Sequence, residues 1–232
     1  GETRARQGNW EGVIRGGEGS GPVNLHGAVE EKTLHVRLLH KKDHTPVRQE
    51  MVHPETGEVV PAEAILHGYA TEDGEMVILT AAELKGLEPE VSRQIEIICF
   101  LSYAAIDHRW FERPYYLGPD GDRDSYFALA AALGSAGTGG LARWSMRNKE
   151  YFGILRLQGG YPVLITLRHA EEVVQLADLE RPAGREIDKR ELAMAEQLVS
   201  ALADSFDPAQ YRDEYRARVL NLIAGKASGK II

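Results

Sequence analysis

Between Arg143 and Arg156 cations alternate with apolar residues: Arg143, Arg147, Lys149 and Arg156 are interleaved with Trp144, Met146, Tyr151, Phe152, Ile154 and Leu155. Folded as a hairpin, that spacing packs one face inward and leaves Arg143, Arg147 and Lys149 projecting. Such a row can follow a phosphate backbone, and it carries no pattern that reads base edges. An ordinary amphipathic hairpin with a solvated polar face is the plainer reading. Lys41 and Lys42, flanked by Arg37 and Arg48, form a second basic group open to the same two readings.

Other chemistries find less support. The run Gly137-x-Gly139-x-x-Ala142 imitates a dinucleotide fingerprint, but that fingerprint needs a strand before it and a helix after it. Here an Ala-rich helical stretch precedes and a strand-like stretch follows, so a loop is expected instead. His40 and His44 have the spacing of a helical metal pair, yet Pro46 and the alternation before it predict strand and turn, which splay the imidazoles. No nucleophile elbow occurs, and the lone Cys99, inside Ile95-Glu-Ile-Ile-Cys-Phe-Leu101, reads as a buried core thiol. The residues therefore predict no enzyme, metal or cofactor.

Elements that would position these residues follow from periodicity and turn chemistry. Leu34-His-Val-Arg-Leu38 and Ile95-Glu-Ile97 alternate with period two, and Met76-Val-Ile-Leu79 and Val163-Leu-Ile-Thr-Leu167 are short β-rich apolar runs. Pro54-Glu-Thr-Gly57, Glu72-Asp-Gly74, Gly118-Pro-Asp-Gly121 and Gln158-Gly-Gly160 punctuate them as turns, which predicts an antiparallel sheet or barrel. Short helices are expected at 80–84, where Thr80 and Glu83 form a capping box, and at 124–133. Near the C-terminus Asp188 caps one helix with apolar residues Leu192, Ala195, Leu198, Val199 and Leu202 on a face. Asp207-Pro208 opens another running to about residue 224. Two such helices alone have little to bury those stripes against, so they must pack on their own barrel or on a second subunit, and a dimer is expected.

At 232 residues, 43% hydrophobic and 27% charged, the chain has the composition of one globular core with a smaller appendage. No apolar run approaches the roughly 18 residues that span a bilayer, and no basic, apolar leader opens the chain, so a cytoplasmic location is expected. The net charge of −8 argues against simple nucleic-acid binding, because duplex binders gain affinity by replacing counterions with Lys and Arg. Its distribution weakens that objection. Residues 61–140 hold 13 Asp and Glu against 5 Lys and Arg, whereas residues 141–170 hold Arg143, Arg147, Lys149, Arg156 and Arg168 against Glu150 alone.

The order of several motifs then resembles the bacterial Ku family over about residues 28–224. They are Leu39-His-Lys-Lys-Asp43, Leu87-Glu-Pro-Glu-Val-Ser-Arg-Gln-Ile-Glu-Ile97, the aromatic-rich Trp110-Phe-Glu-Arg-Pro-Tyr-Tyr-Leu-Gly-Pro-Asp-Gly121, Arg147-Asn-Lys-Glu-Tyr151, Thr166-Leu-Arg-His-Ala-Glu-Glu-Val173 and Asp213-Glu-Tyr-Arg216. The resemblance implies a mainly β fold: a Ku-type β-barrel core with a strand-built bridge over DNA across residues 1–180, followed by a C-terminal α-helical arm for dimerisation across 181–232. It implies a non-enzymatic homodimeric ring, nucleoid-associated in the cytoplasm. That ring would bind double-stranded DNA ends without sequence preference and recruit the ATP-dependent DNA ligase of non-homologous end joining, with no cofactor and no membrane. The DNA-contact candidates are Lys41, Lys42, Arg48, Arg143, Arg147, Lys149 and Arg156. A Ku-like dimeric scaffold with weak DNA binding is the alternative. The glycines after Trp10-Glu-Gly12 predict a frayed or irregular first strand.

Overall fold

The computed structural model describes residues 10–16, 19–121 and 123–229. Seven strands close into a barrel: β1 (Trp10–Gly16), β2 (Gly19–Gly27), β5 (Gln94–Leu101), β6 (Phe111–Pro119), β7 (Gly139–Met146), β8 (Lys149–Gln158) and β9 (Tyr161–Leu167), in the order β1-β2-β6-β9-β8-β7-β5. Six of the seven neighbouring pairs are antiparallel, and β1 runs parallel to β5 with Ile14 beside Ile95. The expected fraying of the first strand is thus corrected: β1 pairs with β2 along its whole length and closes the barrel by pairing Val13 to Arg15 with β5, while Gly17 and Glu18 lie outside the described residues. Gly12 has a positive role there, since a Cβ would stand 2.1 Å from the Trp10 ring and 2.7 Å from the Arg93 carbonyl oxygen.

Alternation along each strand sends one set of side chains inward. Ile14, Val23, Leu25, Ile95, Leu117, Ala142, Trp144, Leu155 and Leu164 form the buried core. The helix α2 (Arg123–Ala136) packs on β2 and β8 and adds Tyr126 and Leu133 to that core. Its Tyr126 hydroxyl donates to the Leu117 carbonyl at 2.8 Å, and burial pushes that phenol's pKa upward. The Gly-rich run is therefore not a loop. Gly134 sits inside α2, Gly137 ends the helix in the left-handed region at φ 61°, and Gly139 and Gly140 begin β7.

The strand β6 contains both prolines of the aromatic-rich motif. Pro114 falls at an irregularity in the β6–β9 ladder between Phe111 and Pro114, which suits a residue with no N–H to donate. There the buried Thr166 hydroxyl takes over the ladder: it accepts from the Arg113 N–H at 2.9 Å and lies 3.3 Å from the Arg113 carbonyl. Cys99 is also corrected. A register shift in the β5–β7 ladder between Ile97 and Cys99 interrupts the inward alternation, and the thiol is exposed.

Between β2 and β5 the chain makes an excursion over residues 28–93 with almost no buried residue. It holds isolated bridges at Leu39–Pro46 and Val52–Val59, the hairpin of β3 (His67–Ala70) and β4 (Met76–Leu79), and the helix α1 (Ala81–Gly86). The Thr80 capping box is present in full, with Glu83 reaching back to the Thr80 N–H at 2.8 Å. The alternation at 34–38 does not produce a strand: no ladder forms there, and the Leu38 carbonyl accepts from the Val47 N–H at 3.0 Å beside the isolated Leu39–Pro46 bridge. Contacts divide the chain into a unit carrying the barrel (through Glu31, then Leu38–Val174) and a second unit of Lys32–Arg37 with the chain from Gln175 onward. In the latter, α3 (Lys189–Ala201) is capped by Asp188 as expected. The last helix starts later than predicted: Asp207 caps only a single 3-10 turn, Pro208–Gln210, and Asp213 caps α4 (Glu214–Ala227).

Replacing Thr166 with Val orphans the Arg113 amide at a buried ladder irregularity, and is expected to cost about 1–3 kcal/mol. Urea unfolding should show a lower midpoint at unchanged slope, and an unshifted midpoint would contradict this role for the hydroxyl.

Candidate nucleic-acid interface

The predicted basic hairpin exists as β7 and β8, joined by a two-residue turn in which Arg147 (φ 53°) and Asn148 (φ 60°) are both left-handed. That turn matches the twist of the flanking strands and suits Asn, whereas Arg is an unusual occupant of the region. The turn lifts Arg147 and Lys149 into solvent, where neither forms an ion pair among the described residues. Strand β8 turns into β9 by the same device, through Gly159 and Gly160. The hairpin's inner face is fixed by Trp144 stacked on Tyr151, and Gly153 leaves room for the indole, since a Cβ would lie 2.7 Å from it.

The other candidate cations have different surroundings. Arg143 projects from the outer face of β7 and is held at 2.7 Å by Glu96 on β5, whose hydrogen bond and charge make the guanidinium still harder to deprotonate. Arg156 is half-buried, its guanidinium lying 3.9 Å over the Tyr103 ring while it donates to the Gln158 side chain at 2.8 Å. Tyr103 in turn stacks on Phe111 at 5.2 Å, so Arg156 ends a stack that secures the segment leading into β6. Arg168 works on the same segment, donating to the carbonyls of Arg109 and Phe111. Arg48 pairs with Glu50 at 2.6 Å. Lys41 and Lys42 are exposed in the turn that follows Leu39, beside a His40–Asp43 contact of 3.0 Å that takes one histidine of the supposed metal pair. Among the described residues no group of three or more His, Cys, Asp or Glu side chains lies together as a metal would require.

One constellation escaped the sequence. Arg15 on β1 and Arg143 on β7 flank Glu96 across three adjacent strands, with Arg15 opposite Glu96 and Glu96 opposite Arg143. They line a groove of about 630 Å³ with Glu90, Ser92, Ser145 and Glu150. Nothing in the local spacing joins positions 15, 96 and 143; only the parallel closure of the barrel does.

A barrel of this topology, with a long exposed excursion between β2 and β5, has counterparts among known proteins. The family model described as "Ku70/Ku80 beta-barrel domain" matches residues 15–194. The chain belongs to the Ku family. It is 34% identical over 223 residues to non-homologous end joining protein Ku 2 of Geotalea uraniireducens, covering 96% of this chain and 87% of that protein. It is 36% identical over 231 residues to non-homologous end joining protein Ku of Coxiella burnetii, covering 96% and 84%. With its counterpart in Bacillus subtilis it shares 32% over 224 residues, covering 95% and 72%. In this Ku chain no helix among the described residues is long and apolar enough to cross a membrane.

The stack on Tyr103 makes Arg156 a positioning residue for the segment before β6. Arg156→Ala is expected to cost about 1 kcal/mol and to open residues 102–110 to limited proteolysis, with Arg156→Lys intermediate. Wild-type cleavage kinetics in the alanine variant would show that the stack holds nothing.

Proposed function

We propose that this protein binds the ends of double-stranded DNA without reading sequence, as a homodimeric ring, and recruits the ATP-dependent ligase that seals breaks in non-homologous end joining. It acts there without catalysis, with residues 1–180 as the encircling core and 181–232 as the dimerising arm. The observation that carries the reading is membership of the Ku family over a barrel interrupted by residues 28–93, a segment too exposed to be stable for its own sake. Of the candidate cations, Lys41, Lys42, Arg147 and Lys149 form no ion pair among the described residues, and all lie in or beside turns. Exposed turns carrying Lys and Arg suit a duplex read by backbone charge alone.

Enclosure reconciles DNA binding with the net charge of −8, because a ring needs only a locally basic lining, and a threaded end escapes slowly whatever the outer charge. Dimerisation is supported by apolar surface left uncovered in one copy. On α3 Leu192, Met194, Leu198 and Val199 are exposed, as are its C-cap Leu202 and Phe206, Tyr211 and Tyr215 nearby in sequence, and on β3 and β4 Tyr69, Met76 and Ile78. One observation favours the scaffold alternative: Arg48, Arg143 and Arg156 are already engaged by Glu50, Glu96 and Tyr103, which leaves fewer cations for DNA.

A labelled linear duplex challenged with equal masses of unlabelled linear and covalently closed circular DNA tests the ring. Competition by linear DNA alone is expected; equal competition would mean ordinary surface binding, and no shift even at low salt would favour the scaffold. Arg147→Ala with Lys149→Ala should flatten the dependence of log affinity on log salt by about 2 per chain, about 4 for the dimeric ring, and an unchanged slope would remove these residues from the interface. In sedimentation equilibrium the protein should run at twice its 25.7 kDa chain mass, and a monomer would overturn the dimer.

A further inference from the structure

Several cations of the barrel unit carry a carboxylate: Arg143 with Glu96 at 2.7 Å, Arg109 with Asp107 at 2.6 Å and Arg48 with Glu50 at 2.6 Å. Arg147, Lys149, Lys41 and Lys42, in or beside turns, form no ion pair among the described residues. The wall groove takes this furthest, since Arg15 and Arg143 share it with Glu90, Glu96 and Glu150, two positive charges against three negative. Glu96 stands between the two arginines in the sheet, and Glu150 also acts on Arg143 through its charge.

An exposed pair such as Arg143–Glu96, with side chains 47% and 57% accessible, contributes little to folding, so stability does not account for the arrangement. Its effect on an approaching polyanion is larger. Within the Debye length of about 8 Å a phosphate near Arg143 also meets Glu96 and Glu150, and the attraction is cancelled. Two arginines on either side of that sheet position with no carboxylate between them would be a phosphate site on the wall.

We infer that Glu96 and Glu150 are specificity-determining residues: they mask Arg15 and Arg143 so that the barrel wall does not hold DNA laterally, leaving productive attraction to the cations near the turns. The inference rests on the end-binding reading and assigns its selectivity to named carboxylates. It is the local form of a general rule, in which like charge facing a wrong partner does more for discrimination than added attraction to the right one. The acidic segment 61–140, which supplies Glu90 and Glu96, thereby acquires a task beyond lowering the net charge.

The test compares wild type, Glu96→Gln, and Glu96→Gln with Glu150→Gln, each in the full chain, for binding to linear and to covalently closed circular duplex of one sequence at low and at physiological salt. Thermal melting confirms that each variant folds. Glu11→Gln, which removes the same charge from β1 four residues before Arg15, controls for net charge. The double variant is expected to bind closed circles about fivefold more tightly, so that the preference for linear DNA falls, with the gain fading as salt rises. A preference that is unchanged or higher in the double variant overturns the inference, as does an equal fall with Glu11→Gln, which would reduce the effect to net charge. Should wild type itself show no preference for linear DNA, the end-binding reading fails instead, and the two failures are distinguishable in one experiment.

Discussion

Closing an odd number of strands into a barrel imposes a constraint that the rest of this structure obeys. Around seven strands the direction cannot alternate everywhere, so one neighbouring pair must run parallel, and here it is β1 with β5. Parallel neighbours cannot be joined by a tight turn. The chain satisfies this by pairing β1 with β2 in a hairpin and then leaving the barrel for residues 28–93 before β5 returns beside β1. The exposed excursion is thus the geometric counterpart of closure. The row of Arg15, Glu96 and Arg143 exists because of the same pair, since it is the seam that brings the start of the chain beside its middle.

Much of the barrel was legible because its signals are local. The apolar run at 163–167, the double glycine at 159–160 and the alternation of cations with aromatics at 143–156 each determine a strand or turn by period and backbone allowance alone. What escaped depends on partners distant in sequence. The alternation at 34–38 reads as a strand but meets no ladder, and Cys99 reads as core but follows a register shift that only the β5–β7 pairing reveals. The start of α4 was misplaced because two aspartates, Asp207 and Asp213, compete as caps, and the first captures only one turn. Of the candidate interface, spacing located the cations and was silent about which are neutralised. Glu96 is 47 residues from Arg143, and Tyr103 is 53 positions before Arg156.

Those neutralising partners change what a count of basic residues means. Arg156 belongs to a stack with Tyr103 and Phe111 and serves the fold, whereas Arg147 sits in a left-handed turn that its side chain does not favour. Strain of that kind persists where surrounding structure enforces it, and here both flanking strands are paired along their length. Arg156 and Arg168 are thus bound into the fold, whereas Arg147 and Lys149, beside a turn, form no ion pair among the described residues.

The parallel seam also orders events during synthesis. When the ribosome has delivered β1 and β2, the edge of β1 that will meet β5 has no partner until more than sixty further residues are made. The barrel stays open until β9 emerges. At roughly 5–20 residues per second, the nascent hairpin carries an unsatisfied strand edge for several seconds. The N-terminal strand is the first part of the barrel to be made and the first to gain both its neighbours, when β5 arrives, whereas β6 and β8 each keep an open edge until β9 enters between them.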